Sequence, residues 1–101
     1  MTSGKQFSFS ASLWLHDRGS VYFCALPEQV SDAIADLSHG QTHGFGSVPV
    51  EVSVGTSTWH TSLFPSTELA TYVLPMKKAV RLTEHLQAGN DVQVSLRLRA
   101  G

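Results

Sequence analysis

The chain has 101 residues, 42% hydrophobic and 15% charged, with a formal net charge of −1. That is the size of one domain around one core, it excludes an extended disordered chain, and it does not by itself imply a polyanionic partner. Cys24 is the only cysteine, which excludes an internal disulfide and a thiolate metal cage.

Residues 1–5 read as a flexible tail and residues 6–101 as a single domain. From Phe7 the positions Phe7, Phe9, Ala11, Leu13 and Leu15 alternate with Ser8, Ser10, Ser12 and Trp14, which predicts a strand with one buried face. Residues 16–20 predict a turn, and residues 21–26 a second strand returning antiparallel. Leu26-Pro27 then opens a helix in which Val30, Ala33, Ile34 and Leu37 recur at helical spacing, with Glu28 near the favourable end of the dipole. It ends at residues 38–40, and the glycine-rich stretch 40–46 is the longest loop.

Val48, Val50, Val52 and Val54 alternate with Pro49, Glu51 and Ser53, a strand whose proline suggests an edge or first-residue position. After a turn at 55–57, Trp59, Thr61 and Leu63 alternate with His60, Ser62 and Phe64 until Pro65-Ser66-Thr67 breaks the strand. Residues 69–74 form the strand that delivers Pro75, read as the first residue of a helix. Over 76–88 the spacing predicts an amphipathic helix of about three turns, with Met76, Ala79, Val80, Leu82 and Leu86 inward and Lys77, Lys78, Arg81, Glu84 and His85 largely outward. Gly89 is its expected left-handed cap. Val92, Val94, Leu96 and Leu98 then alternate with Gln93, Ser95, Arg97 and Arg99 in a last strand.

Six or seven short strands with two helices predict a mainly β fold, a small closed or nearly closed barrel that hides its edges and fills its interior with Val, Leu and Phe. Strand, Leu-Pro, helix and strand occur twice, over 21–54 and 69–98, with Leu26-Pro27 and Leu74-Pro75 as matching joints. That pattern suggests two similar halves.

The pieces FSFSASLWL, LPEQV, VPVEVSVGTSTWHTSLFP, TYVLPMKKAVR and LQAGNDVQVSLRL, in that order from Phe7 to Leu98, resemble the domain-of-unknown-function family 1905. The resemblance implies a small bacterial β-barrel with two helices, found alone or beside a domain associated with bacteriocin-protection-like proteins, and brings no assigned activity. Gly89-Asn90 stands where the family usually has Gly-Asp; Asn also tolerates the left-handed region, so the turn is expected to survive. YVLPMKKAVR…LQAGNDVQV is also similar to the strand–helix–strand unit of swapped-hairpin barrel transcription regulators, basic DNA binders built as dimers of half-barrels. That similarity implies Arg97 and Arg99 as phosphate contacts.

Lys77, Lys78 and Arg81 at the start of a helix, with Trp59 on the neighbouring rim, form the candidate ligand-facing surface, suited to an anionic small molecule or an acidic partner. A solvated basic face with snorkelling stems is the plain alternative. His39 and His43 are four apart but flank Gly40 in a predicted loop, so no metal site is expected. Ser62 and His60 share a strand face and Cys24 lies on the second strand, yet no third group orients either, and no catalytic residues are assigned. Trp14, Trp59, Phe45 and Phe64 fit core or rim packing, or the lining of a pocket.

The N-terminus alternates hydrophobics with serines rather than forming an export signal, and no apolar run reaches bilayer-spanning length. The expectation is a cytoplasmic binding or interaction module without a cofactor, more like a non-enzyme, with a nucleic-acid-binding barrel as the alternative.

Overall fold

Strict alternation of valine and leucine with polar residues gives each strand one oily face, and curling the sheet closed hides six such faces together. The computed structural model describes residues 5–16, 21–38 and 46–99. In chain order they form β1 (Gln6–Leu15), β2 (Tyr22–Ala25), α1 (Glu28–Leu37), β3 (Val48–Val54), β4 (Ser57–Ser66), β5 (Thr71–Pro75), α2 (Lys78–Thr83) and β6 (Asp91–Leu98). The strands close into an antiparallel barrel in the order β1-β2-β5-β4-β3-β6. The protein is mainly β, a six-stranded closed barrel with two helices, as the alternation implies. Residues 17–20 of the turn expected at 16–20, and most of the loop at 40–46, lie outside the described residues.

The interior is filled from every strand. Val48, Val50, Val52 and Val54 of β3, Val92, Val94 and Leu96 of β6, and Phe9, Leu13, Cys24, Leu63 and Leu74 are all buried. Each fully buried aliphatic side chain contributes roughly 1.5–3 kcal/mol of transfer free energy. Ile34 and Val80 bring the two helices onto the same core.

The two halves are related, but not at the joints the sequence suggests. Trp14↔Phe23 and Leu15↔Tyr22 in the β1–β2 ladder correspond to Phe64↔Val73 and Pro65↔Tyr72 in the β4–β5 ladder, each residue fifty positions further on. The same offset relates Leu26 N–H donating to Tyr72 O (3.0 Å) to Met76 N–H donating to Tyr22 O (2.9 Å). It also relates the helix starts Glu28 and Lys78. Leu26 therefore matches Met76, and Pro27 matches Lys77, so the Leu-Pro joints sit two residues out of step.

That offset explains a correction. Pro75 is the last residue of β5, paired with Phe23, because the β2–β5 pairing continues one residue beyond it through Met76. Lys77 (φ −70°, ψ 157°) is the N-cap of α2, and Pro27 (φ −58°, ψ 148°) holds the same position for α1. Neither proline is the first helical residue.

The helix expected over 76–88 is only Lys78–Thr83. His85 has φ 56°, its N–H donates to Leu82 O (3.3 Å) and Leu86 N–H donates to Arg81 O (2.9 Å). This pair of bonds around a left-handed residue is a Schellman termination, with His85 where Gly89 was expected. Gly89 (φ 94°) instead belongs to the turn before β6 and donates its N–H to Leu13 O at 2.7 Å.

β4 runs straight through Pro65, and β3 carries Pro49 although β4 and β6 flank it on both sides. Both prolines are tolerated because their missing N–H groups fall at ladder ends: Pro49 lies beyond the last β3–β6 pair and still accepts from Arg99 N–H (3.0 Å), while Pro65 lies beyond the end of β3. β5 starts at Thr71, later than expected, because Leu69 and Ala70 (φ 56°) form a turn in which Leu69 N–H donates to Ser66 Oγ (3.2 Å). Leu37, expected inward on α1, is exposed. Ser31 is buried instead, and its Oγ accepts Tyr72 N–H at 3.0 Å.

Candidate functional site

A groove opens where β4 and β5 part. β4 is ten residues long, yet it pairs with β5 only at Phe64, Pro65 and Ser66. Beyond Leu74 the chain turns away into α2, leaving a concavity of about 500 Å³ between β4 and the 75–81 segment. Trp59, Lys77, Lys78 and Arg81, the four residues singled out from the sequence, all line it, together with Tyr22 and His60.

Each arrives by a different route. Trp59 points inward from β4 opposite Val52 and is 9% exposed, so it forms floor rather than rim. Lys77 and Lys78 are exposed and have no acidic partner among the described residues. Arg81 is half-buried, with its Nε–H donating to Met76 O (3.1 Å) and its guanidinium carbon 3.6 Å from the centroid of the Tyr22 ring. This holds the planar cation in one orientation before any ligand arrives. α2 has six residues, so attraction for an anion rests on these side chains rather than on a helix dipole.

No carboxylate is among the groove-lining residues. The nearest acid marked by the contacts is Glu51, which lies 3.5 Å from His60 Nε2 and is hydrogen-bonded to Arg97 Nη2. The Arg97 guanidinium holds the Glu51 carboxyl below the usual range, and His60 adds to the effect. Arg97, an expected phosphate contact, is thus engaged with a neighbouring carboxylate.

Two residues escaped the sequence reading. Tyr22 is the platform for Arg81, and only the long-range β2–β5 register brings it there. Glu84, read as an outward helical residue, reaches the β3–β4 turn, where its Oε2 accepts from Ser57 Oγ (2.7 Å), Thr56 Oγ1 (3.1 Å) and Thr56 N–H (3.2 Å). The Ser57 hydroxyl, then Thr56, keep its pKa below the ordinary value. Gly55 (φ 57°) leaves room for it, since a Cβ there would lie 1.9 Å from Glu84 Oε1 and push the carboxylate out of these bonds. The clasp ties the end of α2 to the wall of the groove.

The remaining candidates do not assemble. Cys24 is fully buried inside the barrel, and burial pushes its thiol up to about 12. His60 pairs with Glu51 and makes no hydrogen bond to Ser62. No group of three metal-ligating side chains occurs among the described residues, and His39 and His43 lie outside them. Trp14 is exposed and stacks on Phe23 (centroids 6.3 Å apart, planes at 12°). Phe64 is also on the outer surface, and Phe45 falls outside the described residues.

A family model described as "Domain of unknown function (DUF1905)" matches residues 9–96. The match covers most of the chain, and the chain belongs to that family. No curated protein matches it.

Proposed function

We propose that this member of the DUF1905 family is a binding module that takes an anionic ligand, a phosphate- or carboxylate-bearing small molecule or an acidic partner, in the groove between β4 and α2. The observation that carries the reading is convergence. Trp59 and the Lys77, Lys78, Arg81 cluster come from separate segments and line one concavity that holds three permanent cations and no carboxylate. A volume of about 500 Å³ falls within the range of small-ligand sites, and an aromatic floor with a few fixed polar groups is their usual make-up. Arg81, already oriented by Tyr22 and Met76, supplies a preorganised fork, while the two lysines supply mobile charge.

The cytoplasm as place of action is part of the same proposal, supported by a single buried cysteine that has no partner cysteine in the chain. No helix among the described residues is long and apolar enough to cross a membrane.

Thermal-shift measurement against phosphorylated and carboxylated metabolites tests the binding reading. A ligand at a hundredfold excess over its Kd stabilises by about 2.7 kcal/mol. The expected result is a salt-sensitive rise in Tm that shrinks in Lys77→Ala and Lys78→Ala. A rise unchanged in both variants, and in Arg81→Lys, would remove the groove from the claim.

A further inference from the structure

The backbone of β4 makes a second feature of this groove. Arg99 N–H donates to Pro49 O, so Pro49 directs its backbone groups toward β6. Backbone direction alternates along an antiparallel ladder. Val48, Val50, Val52 and Val54 must therefore bond to β4, through their partners Leu63, Thr61, Trp59 and Ser57. The intervening residues Thr58, His60 and Ser62 then direct their N–H and C=O groups away from β3, toward β5. The β4–β5 ladder stops at Phe64, since Pro75, which the register places opposite Ser62, has no N–H to give; Thr58 and His60 beyond it receive no backbone hydrogen bond from the 76–81 segment. The barrel thus has a short unpaired strand edge at Thr58 and His60, and His60 carries it into the wall of the cationic groove.

We infer that the occupant of the groove is an extended acidic peptide segment that adds to β4 as a further strand. The inference rests on the anionic-ligand reading and narrows it. An unpaired edge supplies main-chain hydrogen bonds to any extended chain, and flanking side chains select the sequence. Successive side chains of such a peptide point to opposite faces. One set meets the apolar floor of Trp59 and Met76, both buried, and the other set meets exposed Lys77 and Lys78. Alternating apolar and acidic residues therefore match both surfaces at once. A lone small anion would use the lysines and leave the strand edge and the floor without a partner. The pseudo-equivalent place in the first half has Pro27 and Glu28 where this one has Lys77 and Lys78, so the charge that selects an acidic chain is present on one side of the barrel only.

The test uses the full chain labelled with 15N and four probes: a short blocked peptide alternating glutamate with valine, the same peptide with glutamine for glutamate, inorganic phosphate, and citrate. The acidic peptide is expected to bind and to slow amide exchange at Thr58 and His60. The amides of Trp59 and Thr61, committed to β3, should change little. The glutamine peptide should bind about tenfold or more weakly. Thr58→Pro removes one N–H of the unpaired edge and none used by the β3 ladder, and should weaken the acidic peptide by roughly tenfold while leaving citrate binding intact; a thermal melt checks its fold. Peptide binding without slowed exchange at Thr58 and His60 in the wild-type chain would overturn the inference even if Thr58→Pro failed to fold. Binding of citrate or phosphate with none of the peptide would overturn strand addition and leave the anion-binding reading standing. Binding of no probe would bring down both.

Discussion

Arg81 lies over the ring of Tyr22 at 3.6 Å from its centroid, and Ser31, fifty positions earlier, receives the N–H of Tyr72 at 3.0 Å. The same pair of positions in the two halves is thus used differently, once for a small buried hydroxyl and once for a stacked cation. In the second half the helix is shorter and the neighbouring strand is left open, and the stacked guanidinium covers the space. Arg81 is therefore part of the wall as well as a charge.

Replacing Arg81 by Lys keeps the charge but loses the Nε–H bond to Met76 O and the planar stack. A partly exposed cation–π contact contributes about 0.5–1 kcal/mol and the hydrogen bond a similar amount. Urea unfolding of Arg81→Lys should show a loss of about 1–2 kcal/mol, whereas Tyr22→Phe, which keeps the ring, should stay within about 0.5 kcal/mol of wild type.

Glu84 makes stability depend on acid. Its folded pKa is depressed by Ser57 and Thr56, so its contribution is fully present above the unfolded carboxyl value of about 4.3. It is lost as the pH falls through the lower folded value. Wild type should therefore lose stability over that acid range more steeply than Glu84→Gln, read as Tm against pH.

Gly55→Ala combines a positive φ with a contact that Glu84 cannot accommodate in place. A loss of more than about 1 kcal/mol is expected. In the Glu84→Ala background the steric part disappears and the backbone part remains, so the double-mutant cycle should show strong coupling between the two sites. Additive losses would mean that the clasp does not hold the turn.

Leu63 is fully buried at the centre of the barrel, whereas Leu82 of α2 is 64% exposed. Leu63→Ala should cost about 2–5 kcal/mol and Leu82→Ala less than about 0.5 kcal/mol, although both leucines fit an apolar pattern in the sequence. Chemical denaturation of the two variants distinguishes them directly.

Cys24 should resist thiol reagents in the native state, because burial both shields the sulfur and raises its pKa to about 12. Labelling near neutral pH should then follow opening of the barrel, and should accelerate in proportion as Leu63→Ala lowers stability. Rapid labelling unaffected by that substitution would place the thiol outside the core.

Several of these residues were legible in advance and others were not. Val48 to Val54 and Val92 to Leu96 declare their buried faces because a strand of period two leaves no other way to hide its apolar side. The helix after Pro75 is shorter than its pattern predicts: Leu82 and Leu86 continue a helical rhythm, while its stop depends on His85 turning left-handed and on Glu84 reaching a turn nearly thirty residues earlier in the chain. Pro65 looked like a strand breaker, because which way its nitrogen points follows from the register of β3 and β4 and has no local signature. Order along the chain points to the convergence of Trp59 with Lys77, Lys78 and Arg81, but carries no sign of Tyr22 beneath Arg81.

Alternation, composition and turn chemistry determine a small β wall, closed or nearly closed, with two helices, since those are local preferences summed over short windows. Which strand ends without a neighbour, which cation is held by which ring, and where the groove opens were decided only by closure of the barrel. Closure sets the registers, and a shift of two residues in one ladder, from the Leu-Pro joints to the Tyr22–Met76 bond, moves every one of those contacts.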